Sequence, residues 1–191
     1  MLQQIKFLLF IYFPTKIIVE SATCEWIGGA SGSQITCLPG WLVTGLCGSG
    51  RSPLCKDGFN YGSRYYYMLQ CCDVKDTKDQ FQTYQVTGAA GSSTTCDVNG
   101  TVIDPMVGGC GSGQKNSCRV DGTTYTNVAI CAESSSFNLG PVSSCSWRYE
   151  QKGQPQTCPS GYYLAGSCGS NQYANCAQGS AMTGIYCCPL M

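Results

Sequence analysis

The sequence predicts a disulfide-rich, all-β protein with three pseudo-symmetric repeats, arranged either as one β-prism-like body or as three small packed β modules. The spacing Cys-x7-Cys, beginning with Cys-Gly-Ser, occurs three times, starting at Cys47, Cys110 and Cys168. Sixteen cysteines and 24 glycines among 191 residues are typical of short, covalently linked strands joined by tight turns. Beyond residue 22 no stretch shows the 3.6-residue hydrophobic period of a helix, so we expect little helix.

The first 22 residues are predicted to be a signal peptide. Lys6 provides a positive charge before the short apolar run 7–13, as in secretory signals. A membrane anchor is the alternative, but Pro14 and Lys16 end a run far shorter than the roughly 20 residues that span a bilayer. We therefore expect a secreted, extracellular protein with no transmembrane segment after the signal is removed.

The rest of the chain divides into three predicted β repeats, at residues 23–73, 74–132 and 133–191. The first and third share a six-cysteine plan in which the first two spacings, x12 and x9, are identical. Their cysteines are Cys24, Cys37, Cys47, Cys55, Cys71 and Cys72, and Cys145, Cys158, Cys168, Cys176, Cys187 and Cys188. The middle repeat has four, namely Cys96, Cys110, Cys118 and Cys131. An even count in every repeat indicates full pairing in an oxidising compartment.

The two cysteines that the middle repeat lacks indicate which positions pair. One is the counterpart of Cys24 and Cys145, where Tyr84 and Gln85 fall, and the other is one member of the terminal Cys-Cys. The expected bonds therefore join Cys24 to Cys71 or Cys72, and Cys145 to Cys187 or Cys188. Because neighbouring strand residues face opposite sides, each Cys-Cys is expected to place one bond inward and one outward.

Four cysteines per repeat then remain, with three possible connectivities, and we favour the nested one. It joins Cys47 to Cys55, Cys110 to Cys118, Cys168 to Cys176 and Cys96 to Cys131, and it pairs Cys37 and Cys158 with the remaining cysteine of their own repeats. Structural zinc is the competing use of cysteine, but the chain has no Cys-x2-Cys pair and no histidine. We therefore predict no metal and no cofactor.

Strand-forming runs recur at equivalent places in the repeats. Residues 40–43 and 161–164 follow tight turns and lead into the Cys-Gly-Ser element. Further β-rich runs, at 65–71, 125–131 and 182–187, close the three repeats.

One pair of motifs resembles a known family. The segment Cys158-Pro159-Ser160-Gly161-Tyr162-Tyr163-Leu164-Ala165-Gly166, followed by Gly184-Ile185-Tyr186-Cys187-Cys188, is similar to the repeat of the vitelline membrane outer-layer proteins. The family's tryptophan is matched by Trp26 and Trp147, with Tyr84 in the middle repeat. The resemblance implies a β-prism, in which three sheets surround a pseudo-threefold axis.

The chain also departs from that family. It has the extra Cys-x7-Cys loop, its middle repeat has Cys96-Asp97-Val98-Asn99-Gly100 in place of Cys-Pro-x-Gly, and it lacks the family's acidic residues between the strands. The resemblance therefore implies the fold and not a sugar-related activity.

Composition excludes several classes of function. Eleven basic and eleven acidic residues balance without a basic stripe, so we expect no nucleic-acid partner. Without histidine there is no Ser-His or Cys-His pair. The acidic residues mostly lie singly, and none recurs at one position in all three repeats, which weighs against paired glycosidase carboxylates. We therefore predict that the protein is not an enzyme.

Aromatic residues are the best candidates for ligand contact, because a flat apolar ring with a polar edge stacks on a sugar. The predicted ligand-binding residues are Trp41, Tyr65, Tyr67, Tyr162 and Tyr163. Packing in the core between the sheets is the favoured interpretation of these residues, and ligand contact is the alternative. Separately, Asn99-Gly100-Thr101 is a sequon, so Asn99 is a predicted N-glycosylation site.

The function expected from these observations is that of a secreted, non-catalytic structural or interaction protein of an extracellular layer, binding an extracellular glycan or a matrix protein. A toxin-like or antimicrobial effector is one alternative, although membrane-active peptides are usually cationic and this chain is neutral. A carbohydrate-active enzyme is the other.

Overall fold

A computed structural model describes residues 23–30, 34–48, 66–74, 81–89, 93–97, 100, 102–110, 126–133, 135, 137–151, 154–168 and 182–191. Within these residues the chain forms twelve strands and one short 3-10 helix at Val142–Ser144, so the predicted all-β fold is confirmed. Several sequence-based predictions concern residues outside the described ones, and these stay predictions. They are the predictions for the signal peptide, Tyr65, Asn99 and the second cysteine of each Cys-x7-Cys loop (Cys55, Cys118 and Cys176). The strands are β1 (Cys24–Ala30), β2 (Gln34–Thr36), β3 (Trp41–Gly48), β4 (Tyr66–Asp73), β5 (Thr83–Ala89), β6 (Ser93–Thr95), β7 (Met106–Cys110), β8 (Thr126–Ala132), β9 (Ser146–Gln151), β10 (Gln156–Thr157), β11 (Tyr162–Cys168) and β12 (Met182–Pro189).

The strands form three four-stranded antiparallel sheets, and each sheet combines strands from two repeats. The orders are β1-β4-β3-β10 in sheet A, β2-β7-β8-β5 in sheet B and β6-β11-β12-β9 in sheet C. The short strands β2, β6 and β10 each leave their own repeat and pair with a strand of another. Since β2 joins the second repeat, β6 the third and β10 the first, the exchange is cyclic and interlocks the repeats in one body.

The inner faces of the three sheets share one apolar core. Val43 of β3, Met106 of β7 and Leu164 of β11 hold equivalent positions and are all fully buried in the same cluster. The three strands that carry them contact one another. The sheets therefore lie like the sides of a prism around this core, where burying each aliphatic side chain contributes roughly 1.5–3 kcal/mol.

Tight turns with glycine begin two of these central strands. Gly40 and Gly161 have φ values of 82° and 81°, and the amides of the next residues, Trp41 and Tyr162, donate to Leu38 and Pro159 carbonyls at 3.0 Å. A positive φ at the third turn position favours glycine, which has no Cβ.

A glycine in each central strand lets the exchanged strand approach. Each lies just after a β-bulge, at a place where an added Cβ would collide with a backbone carbonyl oxygen of the exchanged strand. The glycines are Gly45, Gly108 and Gly166, and the oxygens, at 2.7, 2.5 and 2.6 Å from that Cβ, belong to Gln156, Ile35 and Thr94 respectively.

Three disulfides close the sheets into a ring. In each, the cysteine that directly follows an exchanged strand bonds back to a central strand of its own repeat, which lies in a neighbouring sheet. The bonds are Cys37–Cys71 between sheets B and A, Cys96–Cys131 between C and B, and Cys158–Cys187 between A and C. These are the pairs expected from the nested connectivity.

Two further disulfides lie within single sheets. Cys24 bonds to Cys72 across β1 and β4, and Cys145 bonds to Cys188 beside β9 and β12, with Cα separations of 4.1 and 4.2 Å. These bonds resolve the alternatives left open for each Cys-Cys. The first cysteine of each pair lies in the shared core, and the second lies on the other face of its sheet, where it is also buried. Cys47, Cys110 and Cys168 are also disulfide-bonded, with partners outside the described residues.

The register of the middle repeat corrects two assignments. Ala132 holds the place of Cys72, and the residue opposite it is Thr83, so the counterpart of Cys24 is Thr83 and neither Tyr84 nor Gln85. Likewise Gln85, and not Tyr84, stands where Trp26 and Trp147 stand in the other sheets. A shift of one residue reverses the face of a strand, and repeat spacing alone does not fix the register that closely.

Candidate functional site

The outer face of sheet C carries three aromatic side chains. On β12, Ile185 and Cys187 point into the core, so Gly184 and Tyr186 face outward. Opposite them on β9 lie Tyr149 and Trp147. The Trp147 ring lies 4.9 Å from that of Tyr186 and 6.0 Å from that of Tyr149, measured between ring centroids. We call Trp147, Tyr149 and Tyr186 the aromatic platform.

Gly184 explains how the rings of the platform are oriented. An added Cβ at Gly184 would lie 2.8–2.9 Å from two carbons of the Tyr149 ring and 3.4 Å from the Trp147 ring. The Tyr149 ring therefore lies over the glycine backbone, and its plane is only 16° from that of Trp147. The rings cover the backbone of β12, a known way to stabilise a glycine in a sheet, while all three are half-buried and keep part of their surface exposed. The platform thus presents to solvent the exposed parts of two nearly parallel rings, Trp147 and Tyr149, with the Tyr186 ring tilted by 31° from that of Trp147.

Sheet A uses its equivalent tryptophan differently. Trp26 packs against Met68 and Cys47 on the outer face of that sheet. Among the described side chains, then, Trp26 covers an apolar patch, whereas its counterpart Trp147 lies in a row of rings.

The outer face of sheet B holds a groove of about 490 Å³. Its floor is formed by the buried Val107 and Ile130. Leu38, which is 58% exposed, and the half-buried Phe81 lie at one end. The sides are formed by exposed polar residues, namely Gln34 and Thr36 on β2 and Thr83 and Gln85 on β5. We call this space the sheet B groove, and no charged side chain of the described residues lines it.

The predicted ligand-binding residues do not form either surface. Tyr163 is only 1% exposed, and its hydroxyl donates to the carbonyl oxygen of Ile103 at 2.5 Å. Burial raises the pKa of Tyr163 above its usual range. It is a core residue and not a surface ligand contact, because segments that connect the sheets cover this end of β11.

The other predicted aromatic residues divide in two. Trp41 and Tyr162 are half-buried and pack against the shared core, and ligand contact by either side chain stays a prediction. Tyr67 lies in β4 opposite Gly29 and Gly48, and its side chain, like all of Tyr65, lies outside the described residues.

The platform residues are not among those predicted from the sequence, although the sequence contains a spacing pattern that relates them. Trp147 and Tyr149 are two residues apart, as are Gly184 and Tyr186, so each pair shares one face of its strand. Only the register of β9 on β12 shows that the two pairs meet.

A buried carboxylate is used structurally. The Tyr84 hydroxyl donates to Asp104 Oδ2 at 2.6 Å and lies 3.2 Å from the Cys96 carbonyl oxygen. Burial and the Asp104 carboxylate raise the pKa of Tyr84 well above its usual range. This contact ties β5 to the segment that precedes β7.

Within the described part of the chain, no group of His, Cys, Asp or Glu side chains is arranged to hold a metal ion. No helix there has the length and apolarity needed to cross a membrane. A scan against protein-family models finds no matching family, and a search of curated proteins finds no match.

Proposed function

We propose that the protein is a secreted, non-catalytic component of an extracellular layer and that it binds neutral glycan chains through the aromatic platform. The observation that carries this proposal is the partly exposed pair of rings Trp147 and Tyr149, whose planes are 16° apart. The Tyr186 ring lies beside Trp147, with its plane tilted by 31°. Rings held in this way suit the flat C–H face of a pyranose, and their polar edges suit its hydroxyls.

The covalent architecture supports an extracellular setting. Three disulfides join neighbouring sheets in a ring and two more join strands within a sheet. Bonds of this kind persist in oxidising compartments and resist unfolding and proteolysis. A rigid body with a rigid binding face suits a coat, an eggshell layer or mucus, in keeping with the resemblance to the vitelline membrane outer-layer proteins.

Catalysis is not part of the proposal. The chain has no histidine, and every described cysteine is bonded. The buried Asp104 is occupied by Tyr84. A binding role needs none of these groups and uses only the platform.

The test is retention of the secreted protein on cellulose, chitin and mannan resins and on a glycan array. Trp147→Ala is expected to weaken binding about tenfold or more, because losing a stacked ring costs roughly 1.4 kcal/mol or more. Trp26→Ala is the matched control, since it removes the equivalent tryptophan from sheet A, and it is expected to bind like the wild type.

A second variant changes the platform without removing an aromatic ring. Gly184→Ala adds a Cβ beneath Tyr149, so the ring must tilt away from the sheet. Binding is expected to weaken while the melting temperature changes little, because a flexible side chain can move. Wild-type binding by both Trp147→Ala and Gly184→Ala would contradict the proposal, as would a wild-type protein that binds none of the glycans.

A further inference from the structure

We propose that the sheet B groove is a second binding site, which takes a short segment of a neutral, unbranched oligosaccharide. The class of ligand, a neutral glycan, is taken from the proposed function, so this inference rests on that function for its ligand. The site itself is separate from the platform, because it lies on the outer face of a different sheet.

The groove exists because the outer face of sheet B lacks two bulky groups that the outer faces of sheets A and C both carry. In sheets A and C, the outer face carries a tryptophan, Trp26 or Trp147, and a cross-strand disulfide. In sheet B the register places Gln85 at the tryptophan position and Thr83 opposite Ala132 at the disulfide position. Both replacements are smaller, and together they leave the space open.

The chemistry of the lining selects the class of ligand. Gln34 and Gln85 present amides that both donate and accept hydrogen bonds, and Thr36 and Thr83 add hydroxyls on the same two sides. Val107 and Ile130 give an apolar floor. An apolar surface with a few placed polar groups is the usual composition of a ligand site, and the groove volume lies in the usual range. A sugar ring has the matching surface, with apolar C–H faces and a polar rim.

Other occupants fit less well. A charged ligand would find no opposite charge among the described lining residues. An extended peptide usually binds by pairing its backbone with a free sheet edge, but the floor strands β7 and β8 are central and already paired on both sides. A neutral polyol needs only side-chain donors and acceptors, which the groove provides.

Two sites on different sheets have a consequence for the layer. The platform on sheet C and the groove on sheet B face different directions. The two sheets belong to one rigid body, and the Cys96–Cys131 bond links them. One molecule then holds two glycan segments at once and cross-links separate polysaccharide chains.

The test is isothermal titration of the intact secreted protein with cellohexaose, chitohexaose and mannohexaose. Wild type is expected to bind two molecules of the recognised hexamer. Gln85→Trp restores the bulky residue of the other sheets and is expected to reduce the stoichiometry from two to one. Thr87→Trp is the matched control, because it adds the same ring on the same face of β5 outside the groove, and two molecules are expected to bind.

A second variant guards against a folding defect in Gln85→Trp. The double change Gln34→Ala and Gln85→Ala leaves the groove open but removes both amides, and it is expected to weaken the groove site at least tenfold. Trp147→Ala is expected to weaken the platform site about tenfold or more and to leave the groove site unchanged. In a light-scattering assay with suspended polysaccharide particles, wild type is expected to aggregate the particles, and neither the groove variants nor Trp147→Ala should do so.

The outcomes separate the two proposals. If wild type binds one molecule, and Trp147→Ala abolishes that binding while the groove variants leave it unchanged, the groove proposal would be overturned and the platform proposal kept. If only the groove variants lose binding, the platform proposal would be overturned and the groove proposal kept. Failure of wild type to bind any probe would overturn both. A dimer in analytical ultracentrifugation that Gln85→Trp disrupts would assign the groove to a second copy of the chain and overturn this inference.

Discussion

Thr83 of β5 lies directly opposite Ala132 of β8, in the register that Cys24 and Cys72 hold in sheet A. The middle repeat therefore lacks both halves of one disulfide, while its strands hold the register that carries that bond in sheet A. This relationship explains the uneven cysteine count and allows the bond to be put back.

The double change Thr83→Cys and Ala132→Cys is expected to form a ninth disulfide beside the eight predicted from 16 cysteines. With the Cys96–Cys131 bond already in place, the new bond closes a loop of about 15 residues, worth roughly 3 kcal/mol in the chain-entropy model. Mass spectrometry of the non-reduced protein checks the bond, and denaturant unfolding checks the gain. Two free thiols in the folded variant would show that the register is different, and the single variant Thr83→Ser serves as the control.

Gly108→Ala is expected to destabilise the protein by about 1–3 kcal/mol, as an overpacked position does. The added Cβ would lie 2.5 Å from the Ile35 carbonyl oxygen, so β2 would have to shift away from β7. Denaturant unfolding measures the loss.

A matched variant tests the cause of that loss. Thr36 also approaches Gly108, through its methyl group. Adding Thr36→Ala to Gly108→Ala is not expected to restore stability, because the Ile35 backbone remains in the way. Recovery in the double variant would mean that side-chain crowding, and not the approach of the exchanged strand, requires the glycine.

Tyr84→Phe is expected to cost about 1–3 kcal/mol of unfolding free energy. It removes the hydroxyl that donates to Asp104 at 2.6 Å and leaves a buried carboxylate oxygen without that donor. Tyr162→Phe is the control, because the Tyr162 ring packs against the core and its hydroxyl makes no hydrogen bond to any described residue. A change within about 0.5 kcal/mol is expected there, and an equal loss in both variants would contradict this account.

Stability is expected to fall at alkaline pH. The pKa of Tyr84 and Tyr163 is raised in the folded protein, chiefly by burial, while the unfolded chain has a value of about 10. Above pH 10 the unfolded state therefore binds fewer protons than the folded state, so the unfolding free energy decreases as pH rises, whereas below pH 10 this contribution is constant. Urea unfolding between pH 8 and pH 11.5 measures the slope. Tyr84→Phe and Tyr163→Phe should each flatten it, and an unchanged slope in both would argue against buried tyrosines as the cause.

The disulfide map of the native protein is expected to keep every bond within one repeat. Non-reducing digestion and mass spectrometry should find the five described pairs together with Cys47–Cys55, Cys110–Cys118 and Cys168–Cys176. Any bond that joins two repeats would contradict the assignment of the three small loops.

Cysteine pairing could be predicted from the sequence, because the middle repeat lacks two cysteines together. Their joint absence identifies two bonded positions even when the distance between them in the fold is unknown. The strand exchange could not be predicted. β2, β6 and β10 have only two or three residues, too few to show a period, and their partners lie in other repeats. The candidate surfaces depend on register, which joins Trp147 to Tyr186 and sets Thr83 opposite Ala132. Spacing placed the middle repeat one residue away and so exchanged its inner and outer faces.

The central proposal is that the outer faces of sheets B and C are different binding surfaces for neutral glycan chains. Amide chemical shifts of ¹⁵N-labelled protein, followed during titration with the hexasaccharide that the resins select, test it most directly. The account predicts changes clustered at β9 and β12 around Trp147 and Tyr186, and at Gln34 and Gln85 in the groove, with Trp26 unaffected. Shifts confined to other parts of the molecule, or none at saturating ligand, would contradict it.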